Sequence, residues 1–345
     1  MNDLPVLSLS IGDPCGIGPE IAVRLASHPP PGVALLLCGD ARVLDRARVH
    51  VSAGASAART PPIPLVSGPD DLRARGLTVG LDAESDAFGR ASMPGDLPPM
   101  GRIDARAGAA CHGWVRRGAD LALSGAVAAL VTGPIQKEAW GLAGVLEPGH
   151  TEALARWAGV ERVVMLIAGG PLRVTLATIH VPLRSVPGHL TTAGILADLR
   201  IVAHDARTRL GLPSPRIGVC GVNPHAGEGG RFGDEDERIV RPAVAAARAE
   251  GIDASGPWPA DACIPKAAAG AYDVIHALYH DQGLVAVKTI APRRAVNVTL
   301  GLPYVRTSVD HGTAFDVAGS GVADPSSLET AVAVALEMAG RLRQS

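Results

Sequence analysis

The chain is poor in aromatic residues, with four Trp, three Tyr and three Phe, or 3% of 345. Its core must therefore be built from Ala, Val, Leu and Ile, and its 41 Gly and 28 Pro imply many tight turns between short elements. An excess of charge is also lacking. With 32 Lys and Arg against 34 Asp and Glu the net charge is −2, and there is no long basic run, so neither nucleic acid nor a membrane surface has electrostatic support as a partner. Cysteine is scarce and unpatterned. Cys15, Cys38, Cys111, Cys220 and Cys263 are widely spaced, odd in number and form no CxxC, which leaves reduced structural thiols as the expectation. Long apolar runs are missing as well. No window offers the ~18 uninterrupted apolar residues of a membrane helix, and the opening MNDLPVLSLSIG lacks a basic leader followed by a long apolar stretch, so a cytoplasmic protein is expected.

What is present is 47% hydrophobic residue content, enough for two domains, arranged in short apolar runs that alternate with longer helical patterns. The pattern predicts strands at Val6–Ile11, Val33–Cys38, Ala129–Val131, Val163–Ala168, Val174–Ile179, Ile217–Val222, Val274–Leu278 and Ala295–Leu300. It predicts helices at Pro19–Ser27, Asp40–Val49 (capped by Asp40), Ala105–Leu123, Thr191–Leu210, Glu235–Glu250 and Ser326–Leu342. The segment Ser52–Leu97, rich in Ala, Gly, Pro and Asp, is expected to be loop with at most a short strand. Repeated β and α segments of these lengths argue for an α/β protein with largely buried sheets.

Three histidines stand in polar, glycine-rich phrases: His180 in IHVPLR, His225 in NPHAGEGGRFGDED and His280 in YHDQG. Neutral imidazole is the commonest protein ligand for a catalytic divalent metal, and three protein ligands with an open position is the usual layout. Taken singly, each His also suits a hydrogen-bonded core or surface position, but the flanking residues favour a metal that holds a substrate. The phrase GDPCGIGPEI places Gly12, Gly16 and Gly18 between a strand and a helix without the G-x-G-x-x-G spacing. It therefore suits a tight turn anchored by Asp13 better than a dinucleotide loop. TGPIQK at Thr132–Lys137 also ends a strand, where α/β enzymes gather their sites.

In order and spacing, GDPCGIGPEI, TGPIQK, GHTEALA, HVPLR, NPHAGEGGRFGDED, PADACI, YHDQG, RAVNVTLGLPYVRTSVDHGTAFDVAG and GVADP resemble the 4-hydroxythreonine-4-phosphate dehydrogenase family of vitamin B6 synthesis, from about Leu7 to the last helix. The resemblance implies a homodimer with two α/β domains per chain, an isocitrate/isopropylmalate dehydrogenase-like fold and an active site in the interdomain cleft at the subunit interface. It implies a first domain at 1–137 plus 303–345 carrying the cofactor loop, and a second at 138–302 carrying the metal and the dimer interface. His180, His225 and His280 would be the metal ligands, drawn from both subunits. His150, Thr151, Lys288, Asn297 and Arg306 would contact substrate, Arg306 as a planar fork and Lys288 as a point charge for phosphate or carboxylate.

The implied reaction takes hydride from the carbinol of 4-phosphooxy-L-threonine to NAD, giving a 3-oxo acid that loses CO2 to leave 3-amino-2-oxopropyl phosphate. One divalent ion per site (Zn, Co, Mn or Mg) would act as the electrophile. Asp261 and Asp281 are the candidate bases, and Asp281 is equally able to orient His280. The phrase DHGTAFDVAGSGVADP resembles the adenosine-binding loop of isopropylmalate dehydrogenases. His311, Gly312 and Asp316 would then bind the cofactor, with an acidic residue at 316 favouring NAD over NADP.

The chain departs from the family pattern at Gln136, where His or Asn is common, at PADACI and at Trp258. Relatives on the same scaffold oxidise D-threonate or D-erythronate 4-phosphate, which stands as the alternative substrate class, or cyclic dihydrodiols, against which GHTE argues. A phosphate acetyltransferase would need neither the three His nor NAD. A metal-dependent hydrolase would have no place for DHGTAFD.

Overall fold

The computed structural model describes residues 4–54, 61–292 and 294–342. The chain divides into two compact units, Met1–Glu161 with Leu302–Ala339, and Arg162–Gly301 with Gly340–Ser345. The first break falls after 161, where 137 was expected, and the return falls at 302.

The first unit alternates strands and helices: β1 (Val6–Ser10), α1 (Gly18–Ser27), β2 (Ala34–Cys38), α2 (Ala41–Gly54), β3 (Leu65–Val66), α3 (Pro69–Ala74), β4 (Val79–Asp82), α4 (Ala83–Ser92), α5 (Ala105–Leu123), β5 (Ala129–Thr132), α6 (Lys137–Leu142) and α7 (His150–Ala158). Its strands lie in the order β3-β4-β2-β1-β5-β12, all parallel, β12 (Val305–Val309) arriving from the far end of the chain ahead of α13 (Ser326–Leu342). Parallel strands are covered on both faces, and every residue of β1, β2, β5 and β12 is buried, including the polar Ser8, Ser10, Thr132, Arg306, Thr307 and Ser308. Leu35, Leu36 and Leu37 are each fully buried, a gain of about 1.5–3 kcal/mol apiece. Helix starts follow local chemistry. Asp40 accepts the Arg42 N–H at 2.8 Å, Asp82 that of Ser85 at 2.9 Å and Asp104 that of Arg106 at 2.8 Å, and Pro19 occupies the first turn of α1.

The expectation of loop over Ser52–Leu97 is corrected: β3, α3, β4 and α4 lie there, and β4 pairs with β2 through Leu35↔Val79 and Leu37↔Leu81. Gly80 sits mid-strand, where a Cβ would come within 2.7 Å of Leu72 and 2.9 Å of Val66. Residues 55–60 of that expected loop lie outside the described residues.

The second unit holds β6 (Val164–Gly169), β7 (Leu172–Leu176), α8 (Val186–His189), α9 (Thr192–Thr208), β8 (Ile217–Cys220), α10 (Arg241–Ala249), β9 (Ala254–Trp258), α11 (Ala260–Ala268), β10 (Val274–Ala277), α12 (His280–Ile290) and β11 (Val296–Leu300). Its strand order is β11-β6-β7-β10-β8-β9. β6 is antiparallel to both neighbours, while β7, β10, β8 and β9 run parallel. The carboxyl ends of β7, β10 and β8 thus share one edge, and the three histidine phrases follow them. Among the described residues no helix is long and apolar enough to cross a membrane.

Candidate active site

In the first unit, β5 and β12 lie side by side and deliver Thr132 and Arg306. Arg306 is 1% exposed, and its Nη2 donates to Thr132 Oγ1 at 2.7 Å. Burial lowers its pKa to about 10, opposed by Tyr304 and Glu152, so it stays cationic at neutral pH. After β5 the chain turns through Gly133 and Pro134 into α6, whose first residue is Lys137. Gln136, one of the departures from the family pattern, is its N-cap, its Oε1 accepting the Glu138 N–H at 3.4 Å.

His150 and Thr151 open α7, with Gly149 at the cap. Lys137 reaches this start, since a Cβ on Gly149 would lie 4.0 Å from Lys137 Nζ. The His150 imidazole packs edge-on to Trp140 at 5.6 Å, and its Nε2 is buried without a hydrogen-bond partner. Burial, reinforced by Arg306 and then Lys137, holds its pKa well below the ordinary value and keeps the ring neutral. The cluster therefore presents two cations and a neutral imidazole beside a helix N-terminus, a constellation suited to an anion.

His311, Gly312 and Asp316 lie in the segment between β12 and α13, all three exposed. His311 Nδ1 lies 3.0 Å from the Gly312 carbonyl, and a Cβ on Gly312 would meet nothing within 4 Å. An exposed carboxylate and an open glycine in one segment fit a ribose that needs a hydrogen-bond acceptor.

In the second unit His180 follows β7 and His280 opens α12 after β10. Ala177 N donates to Ala277 O at 2.9 Å and Thr178 Oγ1 to Leu278 O at 2.7 Å, which ties the two segments together. The two imidazole centroids lie 5.8 Å apart at 42°. Metal–nitrogen bonds of about 2.0–2.1 Å put two ligand rings roughly 5–6 Å apart around one ion, so the pair fits a shared metal. Asp281 Oδ1 lies 2.6 Å from His280 Nδ1, which leaves Nε2 as the nitrogen that could hold a metal. Gln282 fixes the same turn, accepting from Leu278 N and donating to Gly221 O, both at 2.7 Å.

His225 does not join this pair: among the described residues no group of three or more His, Cys, Asp or Glu could hold a metal. Its loop is left-handed at His225 (φ 54°), Ala226 (φ 52°) and Glu228 (φ 44°), each costing about 1–3 kcal/mol. Asp236, wholly buried, holds the loop by accepting from Val222 N at 2.8 Å and Asn223 N at 3.0 Å. Asn297, on β11, has its Oδ1 buried without a partner. Lys288 is exposed in the last turn of α12, and Asp261 is exposed in the first turn of α11.

Sequence reasoning assigned no role to Thr132, Lys137, Glu152 or Asp236. Lys137 was within reach, since a Lys opening a helix after a buried strand is a common anion contact; Asp236 gave no signal, because its role depends on a loop geometry.

The family model described as pyridoxal phosphate biosynthetic protein PdxA matches residues 33–335. The 4-hydroxythreonine-4-phosphate dehydrogenase of Beijerinckia indica subsp. indica is 43% identical over 331 residues, 96% of this chain and 94% of its own. The crystal structure of a 4-hydroxythreonine-4-phosphate dehydrogenase from Burkholderia phymatum superposes with a TM-score of 0.81 at 36% identity, covering 97% of this chain and 98% of that one. A terephthalate 1,2-cis-dihydrodiol dehydrogenase from Burkholderia xenovorans LB400 superposes with a TM-score of 0.65 at 31% identity, with 97% and 98% covered. A buried Arg beside an exposed Lys, paired imidazoles and likeness over nearly the whole length agree, and the chain belongs to the PdxA family of pyridoxal phosphate biosynthetic proteins.

Proposed function

We propose that the chain is an NAD-dependent, metal-dependent dehydrogenase that oxidises the carbinol of 4-phosphooxy-L-threonine to a 3-oxo acid, which then loses CO2 to leave 3-amino-2-oxopropyl phosphate. The observation that carries this reading is the anion site of the first unit, where buried Arg306 is joined to Thr132 beside exposed Lys137 and a neutral His150. A phosphate ester recovers there the solvation it loses on leaving water, through an Arg fork, a Lys charge and the first N–H groups of α7.

When bound at His180 and His280, a divalent ion would supply positive charge to the carbinol oxygen, and NAD would accept the hydride. Asp281, engaged by His280 Nδ1, orients that imidazole, and Asp261 takes the carbinol proton. Lys288 and Asn297 contact the amino acid end of the substrate, where the Asn297 carbonyl oxygen lacks a partner of its own. Asp316 accepts from the adenosine ribose of NAD and repels a 2′-phosphate. The third metal ligand, His225, comes from a second copy in a homodimer, which accounts for its separation from the other two.

The test is a substrate panel. Nicotinamide absorbance is followed with a divalent metal and 4-phosphooxy-L-threonine, D-threonate 4-phosphate or D-erythronate 4-phosphate, using NAD and then NADP. The highest kcat/KM is expected for 4-phosphooxy-L-threonine with NAD. A preference for a phosphorylated sugar acid would move the chain to the alternative substrate class, and no reduction with any of them would reject the dehydrogenase reading.

A further inference from the structure

The GDPCGIGPEI phrase has no part in the chemistry proposed above, yet it is among the most tightly constrained in the chain. Gly12 (φ 81°) turns β1 toward α1, and a Cβ on it would come within 2.5 Å of the Pro134 carbonyl oxygen. The far side of the turn meets the segment that carries Asp316. Ile17 N donates to Thr313 O at 3.0 Å, and a Cβ on Gly16 would sit 2.8 Å from that same oxygen. One turn further along α1, the Glu20 side chain is wholly buried. Its Oε1 accepts the Gly319 N–H at 2.6 Å and its Oε2 the Gly321 N–H at 3.0 Å. Arg24, on the same face of α1, donates to the Gly321 carbonyl.

A carboxylate removed from water is costly unless its oxygens are satisfied, and Glu20 directs both of them to main-chain donors of one segment. The segment has no regular secondary structure between β12 and α13, and its internal bonds are local turns, Val317 N to Ala314 O and Ser320 N to Val317 O. It is thus pinned at Thr313 on one side and at Gly319 and Gly321 on the other, with Asp316 between the pins.

We propose that Glu20 is a positioning residue for the dinucleotide: through Gly319 and Gly321 it holds Asp316 in the place where the ribose hydroxyls reach it, and so it sets affinity for NAD. The proposal rests on the reading of Asp316 as the ribose acceptor.

The test measures NAD binding to the purified protein without substrate, by titration calorimetry, together with steady-state constants and thermal unfolding. Glu20→Gln keeps the volume but replaces one acceptor with a donor facing an N–H. It should raise the Kd and KM for NAD about tenfold, leaving kcat at saturating NAD and the KM for phosphosubstrate within about twofold. Asp316→Asn alone should also weaken NAD, and the double variant should lose less than the product of the two single effects, because both act through one loop. If Asp316→Asn binds NAD as the wild type does, the reading of the loop fails, and the role of Glu20 fails with it. If Asp316→Asn is impaired while Glu20→Gln binds NAD normally, or shows only a lowered Tm, Glu20 is a structural brace and the proposal is overturned. Should Glu20→Gln fail to fold, Arg24→Gln probes the same end of the loop from a less buried position. A rise of about threefold in the NAD Kd supports the proposal, and an unchanged Kd overturns it.

Discussion

Asp13 shows how far one buried carboxyl departs from its ordinary behaviour. It is 1% exposed, one oxygen accepts the Cys15 N–H at 2.8 Å, and the other has no partner. Burial raises its pKa to about 6, with Cys15 N–H acting against the shift and Asp104 adding to it. A raised pKa means the folded state binds the proton more tightly than the unfolded chain. The stability linked to Asp13 is therefore full below about pH 4 and is lost as the pH rises through about 6. Asp13→Asn should consequently stabilise the protein at pH 8, by up to about 2–3 kcal/mol, and the gain should fade by pH 4. Thermal unfolding of both forms at the two pH values checks this, and a pH-independent difference would contradict it. At Arg306 the chemistry is directional. Arg306→Lys retains charge but loses the fork, so the KM for phosphosubstrate should rise about tenfold or more; an unchanged KM would remove Arg306 from the anion site. At this scale the sequence was informative wherever a residue type is rare in its setting. A His among glycines announces itself. Glu20 and Asp236 did not, because a buried carboxylate that accepts main-chain hydrogen bonds looks in sequence like any surface acid.

At the scale of elements, long periodic segments were legible and short ones were not. The helix expected at Thr191–Leu210 is α9, and the strands expected at Ile217–Val222 and Ala295–Leu300 are β8 and β11, each within a residue or two. By contrast α6, α7, α11 and α12, which carry Lys137, His150, Asp261 and His280, were not anticipated as helices. They are short or begin at a polar phrase. Inside α12 a Cβ on Gly283 would meet Val174 at 2.7 Å, so glycine serves close packing of the helix on β7. Gly108 poses the same question in α5 and gives a prediction in which two effects oppose. Helix propensity alone would make Gly108→Ala stabilising by roughly 0.5–1 kcal/mol. The new Cβ, however, would lie 2.1 Å from the Ala139 carbonyl oxygen of α6, a main-chain atom that cannot step aside cheaply. We expect a net loss of about 1–3 kcal/mol and, because α6 opens with Lys137, a higher KM for phosphosubstrate. A raised Tm would show that the α5–α6 contact is looser than described.

For the whole molecule, composition and alternation were enough for the α/β class, and the ordered motifs were enough for the family. The extent of the first unit was not legible, because α6 and α7, which pack against α5, are helices that the pattern did not signal. Nor could the sequence say which ligands meet within one chain. His180 and His280 lie together and His225 does not, and the proposal draws His225 from a second copy. His225→Ala and His280→Ala variants, each inactive alone, should regain about a quarter of wild-type activity when mixed and allowed to exchange subunits, since half of the dimers then hold one intact site. No recovery on mixing would place all three ligands in one chain. The proposed reaction couples an oxidation to loss of the carboxyl group, and stoichiometry tests it most directly. With 4-phosphooxy-L-threonine labelled at the carboxyl carbon, a divalent metal and excess NAD, NADH formed and labelled CO2 released are measured in one reaction. Equal amounts are expected, both abolished by a chelator; labelled CO2 without NADH, or no NADH at all, would rule the coupled reaction out.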